Sequence, residues 1–156
     1  MARLQLKLKL PIGSLYLVAS ANGLQGVYFE RQDVPMVSGA VTSEARALSR
    51  AAIEIEEYFR GQRKKFEMPL DLQGTEFQKR VWAEVLKIPY GETRSYGEIA
   101  AKINNRAASR AVGSANGKNP ICIIVPCHRV IAAGGKLGGY SGGLEKKIKL
   151  LEFEKK

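Results

Sequence analysis

The sequence is poor in the residues that build disulfide frameworks and metal centres. Its 156 residues include only two cysteines and one histidine. Two cysteines are too few for a fold held together by disulfides. Two cysteines and one histidine also do not make a four-ligand zinc site. We therefore expect no metal and no cofactor. Two free cysteines are typical of a compartment that keeps thiols reduced.

Long hydrophobic runs are also missing. The first ten residues alternate basic and apolar side chains, unlike the continuous apolar core of a signal peptide, and no run is long enough to span a membrane. We therefore expect an intracellular protein without a membrane partner. It should be cytoplasmic and associated with the nucleoid, or nuclear if the source is a eukaryote.

Acidic residues are outnumbered by basic ones. The chain has 25 Lys and Arg against 15 Asp and Glu, which gives a formal net charge of +10. On a small chain this surplus favours a polyanionic partner, most often a nucleic acid. It also fits a protein that uses charge only for solubility, so composition alone leaves both explanations open.

The first third of the chain predicts a small antiparallel sheet followed by one helix. Leucines alternate with polar residues from Leu4 to Leu10, which is the period of a half-buried strand. A second strand is expected from Leu15 to Ser20 and a third from Leu24 to Glu30. Asn22-Gly23 fits the two-residue turn of the hairpin between them.

The predicted helix has an N-cap at Ser43 and stops at Gly61. Its expected inward face consists of Ala45, Leu48, Ala52, Ile55 and Phe59. Charged residues here are expected to form a solvated face, and the basic run 63–65 a solvated connector. We predict a supporting α+β domain over residues 1–62, a linker over 63–74 and a second domain over 75–156.

The second domain is predicted to be mainly helical. Capping boxes at Thr75/Gln78 and Ser95/Glu98 start two helices, the second of them short, and Trp82 is expected in the core. A turn at Asn104-Asn105 leads to a third helix over 106–117. Two short helices joined by a tight turn are typical of a helix-turn-helix.

The helix over 106–117 has two unlike faces. The inward face is expected to hold Ala108, Ala111, Val112 and Ala115. The opposite face holds Arg106, Arg110, Gly113, Ser114 and Gly117. Residues with almost no side chain let a helix approach a groove wall while arginine reaches in, so we predict DNA contact. A last helix, from Leu144 to about Phe153, is expected to turn Leu144, Ile148 and Leu151 inward.

The segment Pro126-Cys127-His128-Arg129 carries the candidate chemistry. It follows the apolar run 121–125, expected to be a buried strand that ends at Pro126 because proline donates no N–H. We therefore expect the buried strand to hold Cys127 rigidly, with its thiol accessible from the solvent side. A free thiol has a pKa of about 8.5, and a neighbouring imidazole can accept its proton. Cys122 is expected to be buried and inert.

This motif resembles the O6-alkylguanine-DNA alkyltransferase family, together with Asn119-Pro120 before it and residues 140–143 (Tyr-Ser-Gly-Gly) after it. The resemblance covers about residues 75 to 154. It implies a methylated-DNA–protein-cysteine S-methyltransferase that flips O6-alkylguanine out of duplex DNA. The alkyl group would pass irreversibly to Cys127, once per protein molecule. O4-alkylthymine is a second candidate substrate, and we expect a monomer.

The resemblance also assigns roles by position. Cys127 is the nucleophile, His128 activates it through a bound water, and Glu154 orients the imidazole. Tyr96 supports the departing guanine, and Asn119 fixes the turn before the active site. The walls of the base pocket are assigned to Val130, Tyr140, Ser141 and Gly142. DNA contacts are assigned to Arg106, Gly113, Ser114 and Arg110, the last of which fills the space left by the flipped base.

Two other functions are compatible with parts of the sequence. A cysteine hydrolase would use the same Cys, His and Glu for acyl transfer, but it leaves the Arg/Gly helix unexplained. A helix-turn-helix regulator without chemistry would bind DNA, but it leaves the Cys-His pair unexplained. Repeated turnover of an ester would identify the first, and sequence-specific footprinting by an alkylation-inert protein would identify the second.

Overall fold

The computed structural model describes residues 2–39 and 42–155, which form two compact units. The first extends to Gln73 and the second begins at Gly74. The first unit is an antiparallel sheet with one helix and the second is mainly helical, so the α+β fold expected from the sequence is confirmed. Within the described ranges, no helix is both long enough and apolar enough to cross a membrane.

The sheet of the first unit is a three-stranded meander. Strands β1 (Leu4–Leu10), β2 (Gly13–Ser20) and β3 (Gly23–Tyr28) pair in the order β1-β2-β3. The hairpin turn lies one residue earlier than expected, because Ser20 pairs with Gly23. Gly23 has φ +146°, and a Cβ there would lie 2.6 Å from the Pro69 carbonyl oxygen, so only glycine fits.

The buried residue of β1 is a glutamine, whereas its leucines are at most half-buried. The backbone of Gln5 pairs with the segment 35–37, through bonds of 2.9 Å to Pro35 and 2.8 Å from Val37. Its carboxamide donates to the carbonyl oxygens of Gln32 and Val34. A loop that covers the edge strand therefore satisfies a polar side chain that the alternating pattern placed in solvent.

Helix α1 (Ser43–Phe59) packs on the sheet. Its N-cap is Thr42 rather than Ser43, since the Thr42 side chain accepts from the Ala45 N–H at 3.1 Å. It ends as expected before Gly61, which has φ +75°. The observed inward face is Ala45, Leu48, Ala51, Glu54, Ile55 and Tyr58. Ala52 and Phe59, which the sequence pattern placed there, are only half-buried.

Glu54 is buried, which corrects the expectation of a uniformly solvated charged face. Its carboxylate accepts from the backbone N–H groups of Glu67 and Met68 at 2.7 and 3.3 Å. It also pairs with Arg50 at 3.1 Å and Arg63 at 3.5 Å. Residues 63–68 are therefore held against α1, and Arg63 belongs to an ion-pair network rather than to a solvated connector.

The second unit contains helices α2 (Glu76–Val85), α3 (Tyr96–Lys102), α4 (Ser109–Gly117) and α5 (Leu144–Glu154). Both predicted capping boxes are present. The helix-turn-helix is fixed to α2, because Trp82 Nε1 donates to the Ala115 carbonyl at 2.8 Å. Arg80 in turn donates to the Ile103 carbonyl at 2.7 Å.

The inward face of α4 differs from the prediction. A 3₁₀ turn (Arg106–Ala108) precedes α4, which starts only at Ser109. Within α4 the buried stripe is centred near Val112, and Ala111 lies about 100° from Val112 around the helix, outside that stripe. Val112, Ala115 and Asn116 are buried, whereas Ala111 is exposed.

Helix α5 also presents a different face from the predicted one. Leu144 and Ile148, expected inside, are 50% and 39% exposed. Lys147, Leu150 and Glu154 point inward instead. Two charged side chains take these positions because each has strong buried partners, as described below.

Candidate active site

The segment before the candidate nucleophile is buried but is not the expected strand. Its backbone N–H groups bond within the segment, from Val125 to the Ile121 carbonyl at 3.0 Å and from Ile124 to the Cys122 carbonyl at 2.9 Å. Ile123 has φ +75°, a costly conformation for a β-branched residue, of order 1–3 kcal/mol. The segment therefore folds as a series of turns that includes one strained residue, and not as a strand of a sheet.

Asn119 closes this coil. Its Nδ2 donates to the Val125 carbonyl at 2.8 Å, and its Oδ1 accepts from the Ile121 N–H at 3.0 Å. The chain then passes Pro126 into a 3₁₀ turn (Cys127–Arg129) and strand β5 (Val130–Ile131). Strand β5 pairs in parallel with β4 (Arg94–Ser95), which brings the start of α3 beside the cysteine loop.

Cys127 is buried, with 3% of its surface exposed, so the expectation of a solvent-accessible thiol is wrong. Burial raises the pKa of Cys127 to about 11, although a hydrogen bond from the Asn119 side chain and the nearby Lys147 ammonium both lower it. The thiol is therefore protonated at neutral pH, and a nucleophilic sulfur requires a base.

His128 is fully buried and is the candidate for that base. Its Nε2 lies 2.8 Å from Glu154 Oε2. Because a carboxylate only accepts, Nε2 carries the hydrogen and Nδ1 is left as the acceptor. Nδ1 is buried and has no hydrogen-bond partner among the described residues. Burial lowers the pKa of His128, against the opposing effect of Glu154, so the imidazole is neutral near pH 7.

Glu154 is held by more than the histidine. Arg129 donates to both carboxylate oxygens, from Nε at 2.8 Å and from Nη2 at 2.9 Å. The remaining guanidinium nitrogen bonds the Ile88 carbonyl at 2.8 Å, and the group lies 5.6 Å from the centre of the Tyr90 ring. A bidentate pair of this kind fixes the position and orientation of the carboxylate.

Lys147 is a second buried cation of the site. Its Nζ donates to the carbonyl oxygens of Val130 and Gly139, at 2.7 and 3.1 Å. Burial lowers its pKa, and the proximity of Cys127 raises it. This ammonium connects α5 both to the strand after the cysteine and to the glycine-rich loop.

A cavity of about 330 Å³ lies next to this network. It is lined by Tyr96, Gly113, Asn116, Gly117, Gly139, Tyr140 and Ser141. Gly138, with φ +70°, packs so closely on the Tyr96 hydroxyl that a Cβ would collide with it. Of the four residues predicted as pocket walls, Tyr140 and Ser141 line this cavity, and Val130 and Gly142 do not.

The predicted DNA-contact residues lie on one side of the helix-turn-helix. Arg106, Arg110 and Ser114 are exposed, and Gly113 is half-buried, so close to Tyr96 that a Cβ on Gly113 would lie 3.7 Å from the ring. Gly113 also lines the cavity, so the outer face of α4 and the candidate base pocket are adjacent.

No group of three or more His, Cys, Asp or Glu side chains that could hold a metal occurs in residues 2–39 and 42–155.

Three site residues went unassigned in the sequence analysis. Asn116 donates through Nδ2 to the Cys127 carbonyl at 3.2 Å, and Arg129 and Lys147 make the buried contacts described above. Arg129 belongs to the Pro-Cys-His-Arg motif, and this position was the feature of the sequence that could have identified it. Lys147 was not predicted because another face of α5 is more apolar and was therefore expected to be buried. Asn116 was not predicted because α4 was expected to bury only small apolar residues.

Family models match both compact units of the chain. Residues 76–156 match the model of the 6-O-methylguanine DNA methyltransferase DNA binding domain. Residues 6–72 match the model of the ribonuclease-like domain of the same protein family. The two matched ranges fall within the two compact units.

Curated relatives and a solved structure are similar over nearly the whole chain. The methylated-DNA–protein-cysteine methyltransferase of Mycobacterium bovis is 51% identical, covering 93% of this chain and 88% of that protein. The Methanosarcina acetivorans protein of the same name is 49% identical, covering 92% and 93%. The crystal structure of Mycobacterium tuberculosis OGT in complex with DNA matches with a TM-score of 0.86 and 46% identity, covering 99% and 93%. The chain therefore belongs to the 6-O-methylguanine DNA methyltransferase family.

Proposed function

We propose that this protein repairs DNA by moving the alkyl group of O6-alkylguanine onto Sγ of Cys127. Family membership supports repair of alkylated DNA by a cysteine methyltransferase. The observation that carries the assignment of residues is the buried imidazole of His128. Glu154 holds one of its nitrogens at 2.8 Å, and the other is left as a base beside the cysteine.

The proton of the thiol passes to His128 Nδ1 through a bound water. Glu154 stabilises the imidazolium that forms, and Arg129 holds Glu154 in place while it does so. The Lys147 ammonium stabilises the new thiolate, because its charge lowers the pKa of Cys127. These contacts supply the activation that a thiol with a pKa of about 11 lacks.

The thiolate then attacks the alkyl carbon. A carbon–sulfur bond forms while the bond from that carbon to O6 breaks, and the bonding electrons leave with the guanine. The Tyr96 hydroxyl lines the cavity and donates to the departing base as its charge develops. The product is a thioether with no low-barrier return to the thiol, so each protein molecule reacts once.

The lesion reaches this site only when its nucleotide leaves the duplex, at a cost of a few kcal/mol. The exposed face of α4 lies beside the cavity, so a helix seated in the minor groove would deliver the extruded base there. Arg110 fills the space left in the stack. Arg106 and Ser114 hold phosphates without reading the sequence.

Stoichiometry tests this proposal. We expect a duplex with O6-methylguanine, supplied in excess, to be repaired up to one equivalent of protein and no further. Cys127→Ala should repair none and still bind the duplex, whereas the matched variant Cys122→Ala should repair one equivalent. Continued turnover would indicate a hydrolase, and repair by Cys127→Ala would remove Cys127 from the reaction.

A further inference from the structure

We propose that Asn116 selects guanine lesions by accepting a hydrogen bond from the 2-amino group of the flipped base. This inference rests on the proposed function and adds a specificity-determining residue to it. It starts from one unusual atom. Asn116 Oδ1 is buried on the inner side of α4 and has no hydrogen-bond partner among the described residues.

The orientation of the carboxamide follows from its other contact. Asn116 Nδ2 lies 3.2 Å from the Cys127 carbonyl oxygen. The reverse orientation would place two acceptor oxygens against each other, so the nitrogen faces Cys127 and Oδ1 is the remaining acceptor. The side chain is therefore fixed beside the nucleophile, with an unused acceptor.

A buried acceptor without a donor lowers stability, which is why most such atoms in folded proteins are paired. Asn116 also lines the cavity, together with Tyr96, Tyr140 and Ser141. A ligand in this cavity is therefore the available source of a donor. The chemistry of the alkylated base decides which donor it is.

Alkylation at O6 removes the hydrogen from N1 of guanine, because the ring takes the enol-ether form. The exocyclic 2-amino group is then the only N–H donor left on the base. O4-alkylthymine has lost its N3 hydrogen in the same way and carries no amino group. An acceptor at Asn116 therefore favours alkylated guanine, and O4-alkylthymine leaves Oδ1 unpaired.

The test pairs one change in the protein with one in the substrate. The single-turnover rate constant is measured on duplexes with O6-methylguanine and with O6-methylhypoxanthine, which differ only by the 2-amino group. Asn116→Leu keeps the branched shape and the number of heavy atoms of the side chain and removes both polar atoms, and Asn116→Ala, which adds no bulk, serves as a second variant. Asn22→Ala, on an exposed turn of the first unit, is the matched control.

We expect Asn116→Leu to lose roughly three- to tenfold more rate on O6-methylguanine than on O6-methylhypoxanthine, the value of one hydrogen bond. The preference of the unmodified protein and of Asn22→Ala for the 2-amino base should then shrink in both Asn116 variants. Equal losses on the two substrates would overturn the inference, because a purely structural role through the Cys127 carbonyl affects both alike. Absence of transfer to either substrate by the unmodified protein would contradict the proposed function instead.

Discussion

At the scale of single residues, the chemistry depends on how burial distributes protons. Burial raises the pKa of the Cys127 thiol to about 11 and lowers the pKa of the His128 imidazole below 6.5. Both groups are therefore neutral over a wide pH range, and the proton moves between them only during the reaction. In the proposed mechanism Glu154, fixed by Arg129, makes that transfer favourable by stabilising the imidazolium.

The pH dependence of repair follows from these two shifts. Transfer of a proton within a neutral pair needs no hydroxide, so the rate constant should be flat from pH 6.5 upward in every buffer that leaves the duplex intact. It should fall only in acid, below the lowered pKa of His128, where Nδ1 is already protonated. Single-turnover kinetics across pH measure this profile.

Two outcomes would contradict the account of the base. An acidic limb with its midpoint above pH 6.5 would mean that His128 is not the neutral base. A rate that rises tenfold per pH unit through neutrality would mean that thiolate forms without His128. Cys122→Ala should show the unmodified profile, because burial raises the pKa of that thiol far above its usual range and keeps it protonated.

At the scale of elements, α5 and α4 show why side chains near an active site break simple patterns. The more apolar stripe of α5 faces solvent, because rotating it inward would remove Lys147 and Glu154 from their buried partners. Removing one member of a buried ion pair costs about 3–5 kcal/mol, more than burial of a leucine returns.

The orientation of α5 can be tested with two matched truncations. Leu150→Ala removes a buried side chain and should lower the free energy of unfolding by about 2–5 kcal/mol. Ile148→Ala, on the exposed face, should change it by no more than about 0.5 kcal/mol. Urea unfolding followed by fluorescence of Trp82, the single tryptophan, reports on this unit. Similar losses in both variants would contradict the observed rotation of the helix.

The outer face of α4 makes a separate prediction about base extrusion. Arg110→Ala should slow repair within duplex DNA by about tenfold or more, and should leave attack on free O6-methylguanine base nearly unchanged. Arg106→Ala is the matched control. It should weaken binding to all duplexes alike and reduce the salt dependence of binding by about one unit of slope. If Arg110→Ala slowed the reaction equally with duplex DNA and with the free base, Arg110 would not be the residue that fills the space left by the extruded base.

At the scale of the whole molecule, local signals predicted the elements well. The meander, both capping boxes and the turn between α3 and α4 depend on neighbours in sequence, and each was found. What failed depends either on distant partners or on side-chain hydrogen bonds that a hydrophobic pattern does not report. Gln5 is buried because a loop thirty residues away covers it, and the apolar run before Cys127 is not a strand because Asn119 closes it locally.

The burial of the site was likewise beyond local reasoning. An imidazole and a thiol can be identified from the sequence, but their protonation depends on Arg129 of the cysteine loop and on Lys147 and Glu154 of α5. The same holds for Asn116, whose importance becomes apparent only when α4 is packed against the cysteine loop.

The central claim is that the sulfur of Cys127 forms a permanent bond to the alkyl carbon of a guanine lesion. Intact-mass measurement after incubation with a duplex that contains O6-methylguanine tests it most directly, followed by peptide mapping. We predict that every active molecule gains the mass of one methylene group, located on Cys127. An unchanged mass with a fully intact lesion, or a modification located on Cys122, would contradict the account.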